Sequence, residues 1–133
     1  MVRIFALVAG ICGLAQGAAA DSCWTHNGSV MRLTAAGAQR TFLYEQPRSG
    51  LWEVGVSPGT WLFSGQKQGE WYTGVARVFS GGGCAPLQYE VSGPVLQNPL
   101  RIEMRGRREV YRNCAPTGQW REDVLVFSYM SSC

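Results

Sequence analysis

Lysine and histidine are almost missing from this chain of 133 residues: Lys67 and His26 are the single representatives. A serine or cysteine nucleophile usually needs a neighbouring base, most often histidine. His26 is then the sole candidate, and it stands in a turn-forming His26-Asn27-Gly28 segment that reads as exposed. No Gly-x-Ser-x-Gly elbow is present to raise a serine for attack. Gly81-Gly82-Gly83 lacks the lysine and spacing of a phosphate loop, and no two cysteines stand at the close spacing of a zinc knuckle. Acidic residues are available (Glu45, Glu53, Glu70, Glu90, Glu103, Glu109, Glu122 and Asp123). Most alternate with apolar neighbours, the pattern of a solvated surface and not of a glycosidase pair. The net charge of +3 is too weak to imply nucleic acid. Catalytic residues, metal, cofactor and a nucleic-acid partner are therefore not expected, and a carboxylate-based hydrolase is a remote alternative.

What is present begins with a leader. Arg3 precedes an apolar run from Ile4 to Leu14, and the segment closes on Ala18-Ala19-Ala20. A basic end, a short apolar stretch and a small-residue cleavage site make a secretory signal peptide over residues 1–20. The run is too short for a transmembrane anchor, which takes about 20 apolar residues. The single mature domain then spans residues 21–133, and the alanine-rich leader fits a bacterial protein that is periplasmic or secreted. Cys12 leaves with the leader, so Cys23, Cys84, Cys114 and Cys133 remain. An even number of cysteines in a small exported domain reads as two disulfides.

The mature chain alternates with period two and breaks at turn residues, which predicts strands. The expected runs are Ser29 to Thr34, Arg40 to Glu45, Leu51 to Val56, Thr60 to Ser64, Glu70 to Ser80, Tyr89 to Val95, Leu100 to Arg105 and Val124 to Tyr129. About eight sequential antiparallel strands with short links form a meander, which can close into a β-barrel or stay partly open. A β-sandwich is the alternative. In an up-and-down barrel the connections after the fifth and seventh strands emerge at one rim, which brings Cys84 to Cys114. The chain ends share the other rim, which brings Cys23 to Cys133.

Two groups of residues are candidates for binding. The segment from Gly106 to Asp123 reads as an unusually long connection, and long links in compact domains tend to be functional. It carries Arg107, Arg108, Tyr111, Arg112, Trp120 and Arg121. Arginine forks hold carboxylate, phosphate or sulfate groups, and arginine with aromatics is the composition of binding hot spots. The second group, Trp52, Trp61, Trp71 and Tyr72, falls in neighbouring expected strands and can line a cup in the barrel mouth.

The stretch Pro47-Arg48-Ser49-Gly50-Leu51, then Gly59-Thr60-Trp61-Leu62-Phe63-Ser64-Gly65, Tyr72-Thr73-Gly74 and the late Leu125-Val126-Phe127-Ser128-Tyr129 resemble uncharacterised small exported β-domain proteins of bacteria. The resemblance carries no activity with it. On architecture alone, lipocalin-like and avidin-like barrels are comparable, with none of their signature residues placed here, and fold does not fix function. The expected function is a non-catalytic binding module that meets a protein or glycan partner, in the manner of an inhibitor, through the stapled arginine-aromatic loop. The alternative is a carrier of a small ligand in an aromatic-lined barrel mouth.

Overall fold

A computed structural model describes Asp21–Cys133; the expected leader and Cys12 lie outside the described residues. The strands are β1 (Ser22–His26), β2 (Ser29–Ala36), β3 (Gln39–Gln46), β4 (Trp61–Gln68), β5 (Trp71–Val78), β6 (Leu87–Leu96), β7 (Arg101–Arg112) and β8 (Ala115–Ser132). Each pairs antiparallel with the next, and β8 returns to β1, so the sheet is a closed eight-stranded barrel. Closure leaves no barrel edge to recruit another chain.

One strand was not expected, and one expected strand is absent. Cys23-Trp24-Thr25-His26 belongs to β1, which is short and carries a histidine where an apolar residue would signal a strand. Leu51–Val54 is a 3-10 helix, not a strand. Gly50 and Gly55, both left-handed at φ 91° and 86°, bracket it, and Val56 N–H donates to Leu51 O to close the turn. The alternation that predicted a strand is the side-chain order of a folded loop.

The segment from Gly106 to Asp123 is also not a loop. It is the outer half of the β7–β8 hairpin, paired from Gly106↔Asp123 to Arg112↔Ala115. Asn113 and Cys114 form the connection with φ 50° and 63°. Positive φ at both central residues is the turn whose twist suits a hairpin, usually written Asn-Gly. The β6 ladder on β7 ends at Ser92↔Arg105 and the β1 ladder on β8 begins at Thr25↔Ser128, so this ribbon projects past the barrel rim.

The interior is filled, as expected for so narrow a barrel. Phe42, Phe63 and Phe127 are completely buried, and Phe42 stacks on Phe127 with ring centres 3.9 Å apart. Gly65 and Gly74 face each other across β4 and β5, where a Cβ on either would run into the opposing backbone and the Phe63 ring. Gly74 therefore marks a place where a large ring occupies the room of two side chains, and the ladder runs through it in register.

The barrel has two ends. One rim, here the lid rim, carries the β1–β2 turn, the β3–β4 loop with its 3-10 helix, the β5–β6 loop and the β7–β8 ribbon. The other, the terminal rim, carries the remaining turns and both ends of the described chain. Cys84–Cys114 ties the ribbon tip to the β5–β6 loop at the lid rim, with Cα atoms 5.2 Å apart. Cys23–Cys133 joins β1 to the end of β8 at the terminal rim, with Cα atoms 5.0 Å apart.

Candidate ligand site at the lid rim

At the lid rim the barrel opens into a cleft of about 350 Å³ that includes His26, Tyr44, Leu62 and Leu125 in its lining. Strand alternation turns His26 inward two residues after Trp24, and His26 is only 8% exposed. Its ring lies on Phe127, with centres 4.5 Å apart. His26 Nδ1 is 2.8 Å from the Val126 carbonyl. A carbonyl only accepts, so Nδ1 carries the proton and Nε2 the lone pair. Burial lowers the His26 pKa below its ordinary value, the carbonyl bond opposes the shift, and the Arg48 charge adds to it. The ring is neutral at pH 7. Next to it, the buried Ser29 Oγ accepts the Arg48 N–H at 2.9 Å, pinning the start of the β3–β4 loop.

The facing wall is charged, with two guanidinium groups on one carboxylate. Asp123 accepts from Arg108 Nε and, at 3.2 Å, from the Tyr89 hydroxyl, and it is ion-paired with Arg121 Nε at 3.0 Å. Burial, followed by the Asp123 charge, pushes the Tyr89 pKa above the ordinary phenol value. Tyr44 also lines the cleft; burial raises its pKa, and Phe79 meets its ring edge-on at 6.3 Å. Both phenols are therefore neutral donors. The β3–β4 loop folds over this end: Val56 is fully buried, and Leu51 and Val54 pack against the core. Gly81 in the β5–β6 loop abuts Val54 and Glu53, so the two loops brace each other.

At the terminal rim a cleft of about 380 Å³ is lined by Arg40, Lys67, Glu70 and Tyr72 among others. Lys67 and Glu70 form a loose pair at 3.8 Å. A third cleft of about 830 Å³ lies between the ribbon tip and the β5–β6 loop, beside Cys84–Cys114 and Tyr111.

The structure gathers the six arginine and aromatic residues expected in the long connection onto one ribbon but divides them between its faces. The register Arg108↔Arg121 flanks Arg107↔Glu122 and Glu109↔Trp120. Arg108 and Arg121 converge on Asp123 at the mouth, whereas Arg107 lies over the exposed Trp120 ring at 5.6 Å. Tyr111 is exposed near the tip, and Arg112 closes the hairpin opposite Ala115. The other aromatic group is scattered. Trp52 is 66% exposed on the 3-10 helix. Trp61 shares the outer face with Leu43 and takes the Arg77 guanidinium at 4.4 Å. Trp71 is exposed beside the β4–β5 turn, and Tyr72 is buried toward the terminal rim. These four make no common cup. The mouth is instead lined by His26, Tyr44, Tyr89 and Asp123 together with Arg108 and Arg121; the sequence reads His26 as an exposed turn residue and Asp123 as surface charge, and it gives the two tyrosines no site role. The available signal was alternation: counted inward from Trp24, His26 and the Tyr44 side of β3 fall on the interior face.

The fold and the mouth thus define a class: an up-and-down, eight-stranded closed barrel with one end floored by aromatics and covered by a loop. No family model and no curated protein matches the sequence. Among solved structures, the chain is similar to the rhizavidin–biotin complex, with a TM-score of 0.58 and 13% identity, over 86% of this chain and 95% of that one. At such identity the likeness is one of fold.

Proposed function

We propose that this protein binds a small organic molecule in the lid-rim mouth and does no chemistry on it. The observation that carries the reading is the mouth itself: a neutral buried histidine, two phenols and an Arg–Asp–Arg wall, set beside the apolar side chains of Leu62, Phe79 and Leu125. Small-molecule sites are concave and fix a ligand's orientation with a few placed polar groups; this mouth has such groups, on a wall more polar than most such sites. The support for binding without catalysis is that the mouth's carboxylate is already committed: Asp123 is held by two guanidinium groups and by the Tyr89 hydroxyl. The similar structure is a complex with biotin, so biotin is the first probe.

The two disulfides are the chemistry of an oxidising compartment, and no helix of the described residues is long and apolar enough to cross a membrane. The proposed setting is the periplasm or the medium. The test is a thermal-shift screen of the domain 21–133 with biotin and a metabolite library. A ligand at about a hundred times its Kd adds about 2.7 kcal/mol, which raises Tm by several degrees in a domain of this size. The reading stands if the ligand shifts the amide resonances of Asn27, Tyr44 and Asp123. It falls if bound ligands leave those resonances unmoved or if nothing in the library stabilises the domain.

A second reading rests on a different observation, the exposed Tyr111 and the Arg107–Trp120 pair beside the disulfide-held cleft. Here the ribbon tip presents a rigid aromatic surface to a protein or glycan partner. Replacing Arg107, Tyr111 and Trp120 together by alanine is expected to abolish binding to a glycan array or to a partner identified in an envelope extract. Undiminished binding by a folded triple variant removes this reading.

A further inference from the structure

We infer that His26 sets the specificity of the lid-rim mouth and that the molecule bound there meets it with a hydrogen-bond donor, an N–H or O–H group. The inference rests on the proposal that this mouth is the ligand site. Its warrant is the fixed tautomer. Val126 O holds Nδ1 at 2.8 Å and the Phe127 ring supports one face of the imidazole, so the ring cannot turn to offer its N–H to the cleft. Nε2 is left carrying the lone pair. Its one protein partner among the described residues is the Asn27 amide, at 3.4 Å, long for a hydrogen bond.

Asn27 is exposed in a tight turn at φ 47° and Gly28 follows at φ 82°, so the amide can give up this contact and turn to water. The groups around the ring keep it an acceptor. Arg48 repels a second proton, and no carboxylate hydrogen-bonds to the ring among the described residues. A ligand whose only polar group is a carbonyl would set lone pair against lone pair and leave Nε2 desolvated. A ligand with an N–H or O–H replaces the weak Asn27 bond with a direct one. Sites that hydrogen-bond a ligand group reject the analogue lacking it far more strongly than apolar pockets reject a missing methylene, because a buried polar atom is then left unpaired. The cleft also limits size: about 350 Å³ suits a one- or two-ring molecule and not an oligomer.

The experiment uses matched pairs of bicyclic fragments that differ only in the donor, such as indole and 1-methylindole or benzimidazolone and its dimethyl derivative, with biotin as a further probe. Binding to the isotope-labelled domain 21–133 is followed at the amides of Asn27, Tyr44 and Asp123 and at the His26 imidazole nitrogens. The expected result is that N–H members bind about tenfold or more tightly than their methylated partners. Their binding should move the Nε2 resonance toward the value of a hydrogen-bonded acceptor while Nδ1 stays protonated. His26→Phe, which retains a ring on Phe127, should bring the two members of a pair to equal affinity; should that variant fail to fold, the Nε2 resonance of the unaltered protein decides. Equal affinity within pairs that do occupy the mouth overturns this inference and leaves the mouth proposal standing. Absence of any fragment from the mouth overturns both.

Discussion

The two ends of the barrel hold clefts of nearly equal size, about 350 and 380 Å³, yet they are built on opposite terms. At the lid rim the polar groups are withdrawn from water and fixed: His26 on a carbonyl, Ser29 on a backbone N–H, Asp123 between two arginines. A loop anchored by Val56 lies over them. At the terminal rim the charged groups at the cleft are loosely paired, Lys67 with Glu70 at 3.8 Å among them, and Cys23–Cys133 locks the seam of the barrel. Buried, directed polar groups confer selectivity because leaving them unpaired is costly, whereas an exposed ion pair contributes little. Volume therefore does not tell the ends apart; the surroundings of the polar atoms do.

The comparison breaks most severely if the floor of the lid rim is removed. Phe127→Ala takes away the ring that stacks on both Phe42 and His26 and is expected to cost about 3–5 kcal/mol. A shifted urea midpoint and a His26 side chain that has lost its single tautomer would show it; a loss below about 1 kcal/mol would mean that the stack is not the floor.

Removing the disulfides separates the ends next. Cys23–Cys133 closes a separation of 110 residues and Cys84–Cys114 one of 30. The entropy of loop closure predicts a cost of about 2–5 kcal/mol for either pair replaced by alanine, with the longer loop about 1 kcal/mol dearer. The site should respond in the reverse order. Cys84→Ala with Cys114→Ala frees the ribbon that carries Arg108, Arg121 and Asp123 and is expected to weaken binding in the mouth. The seam variant should keep its affinity while folded. Equal effects on affinity would erase the distinction between the rims.

How these disulfides became legible in the sequence is instructive. The strand list omitted β1 and added Leu51 to Val56, two errors that leave every later strand with its correct number. Cys84 therefore still followed the fifth strand and Cys114 the seventh, and up-and-down parity placed both on one rim. Cys23 lies within β1 and not ahead of it, which moves it along the seam without taking it from β8. The hairpin from Gly106 to Asp123 was illegible for a local reason. Its turn is Asn113-Cys114 where Asn-Gly is the usual signal, and Gly106 within β7 reads as a breaker. Gly106 is there because Glu90 O and the Val91 side chain occupy the place of its Cβ, a tertiary demand that leaves no trace in strand propensity. The mouth was hidden in the same way: a histidine beside Asn-Gly looks like a turn residue until closure of the barrel puts Val126 and Phe127 against it.

Smaller perturbations sharpen the contrast. Val56→Ala leaves a cavity under the lid and is expected to cost about 1–3 kcal/mol. Hydrogen exchange gives the location. The Arg48 N–H, bonded to Ser29 Oγ, and the Val56 N–H, bonded to Leu51 O, should lose protection. The Cys133 N–H, bonded to Asp21 O at the other end, should keep its own. Uniform loss would indicate that the loop is part of the barrel's global cooperativity and not a separate cover.

The smallest effect is that of pH, and it belongs to one rim. The folded pKa of His26 is lowered, so near and below the unfolded value of 6.5 the unfolded chain takes up a proton that the folded chain resists. Stability then rises with pH wherever the unfolded state binds more protons. The contribution is fully present above about pH 7 and is lost as pH falls through the unfolded value toward the folded one. Glu45, paired with Arg32 on the barrel exterior, has a depressed pKa and acts lower, below its ordinary 4.5. A stability profile from pH 8 to 5 should fall by an amount that His26→Phe abolishes. Over the same range the amides of the lid rim should loosen before those of the terminal rim. If the profile is flat, or if both rims loosen together, the neutral histidine is not the group that separates the two ends, because His26 is the one side chain whose ordinary pKa falls in that interval.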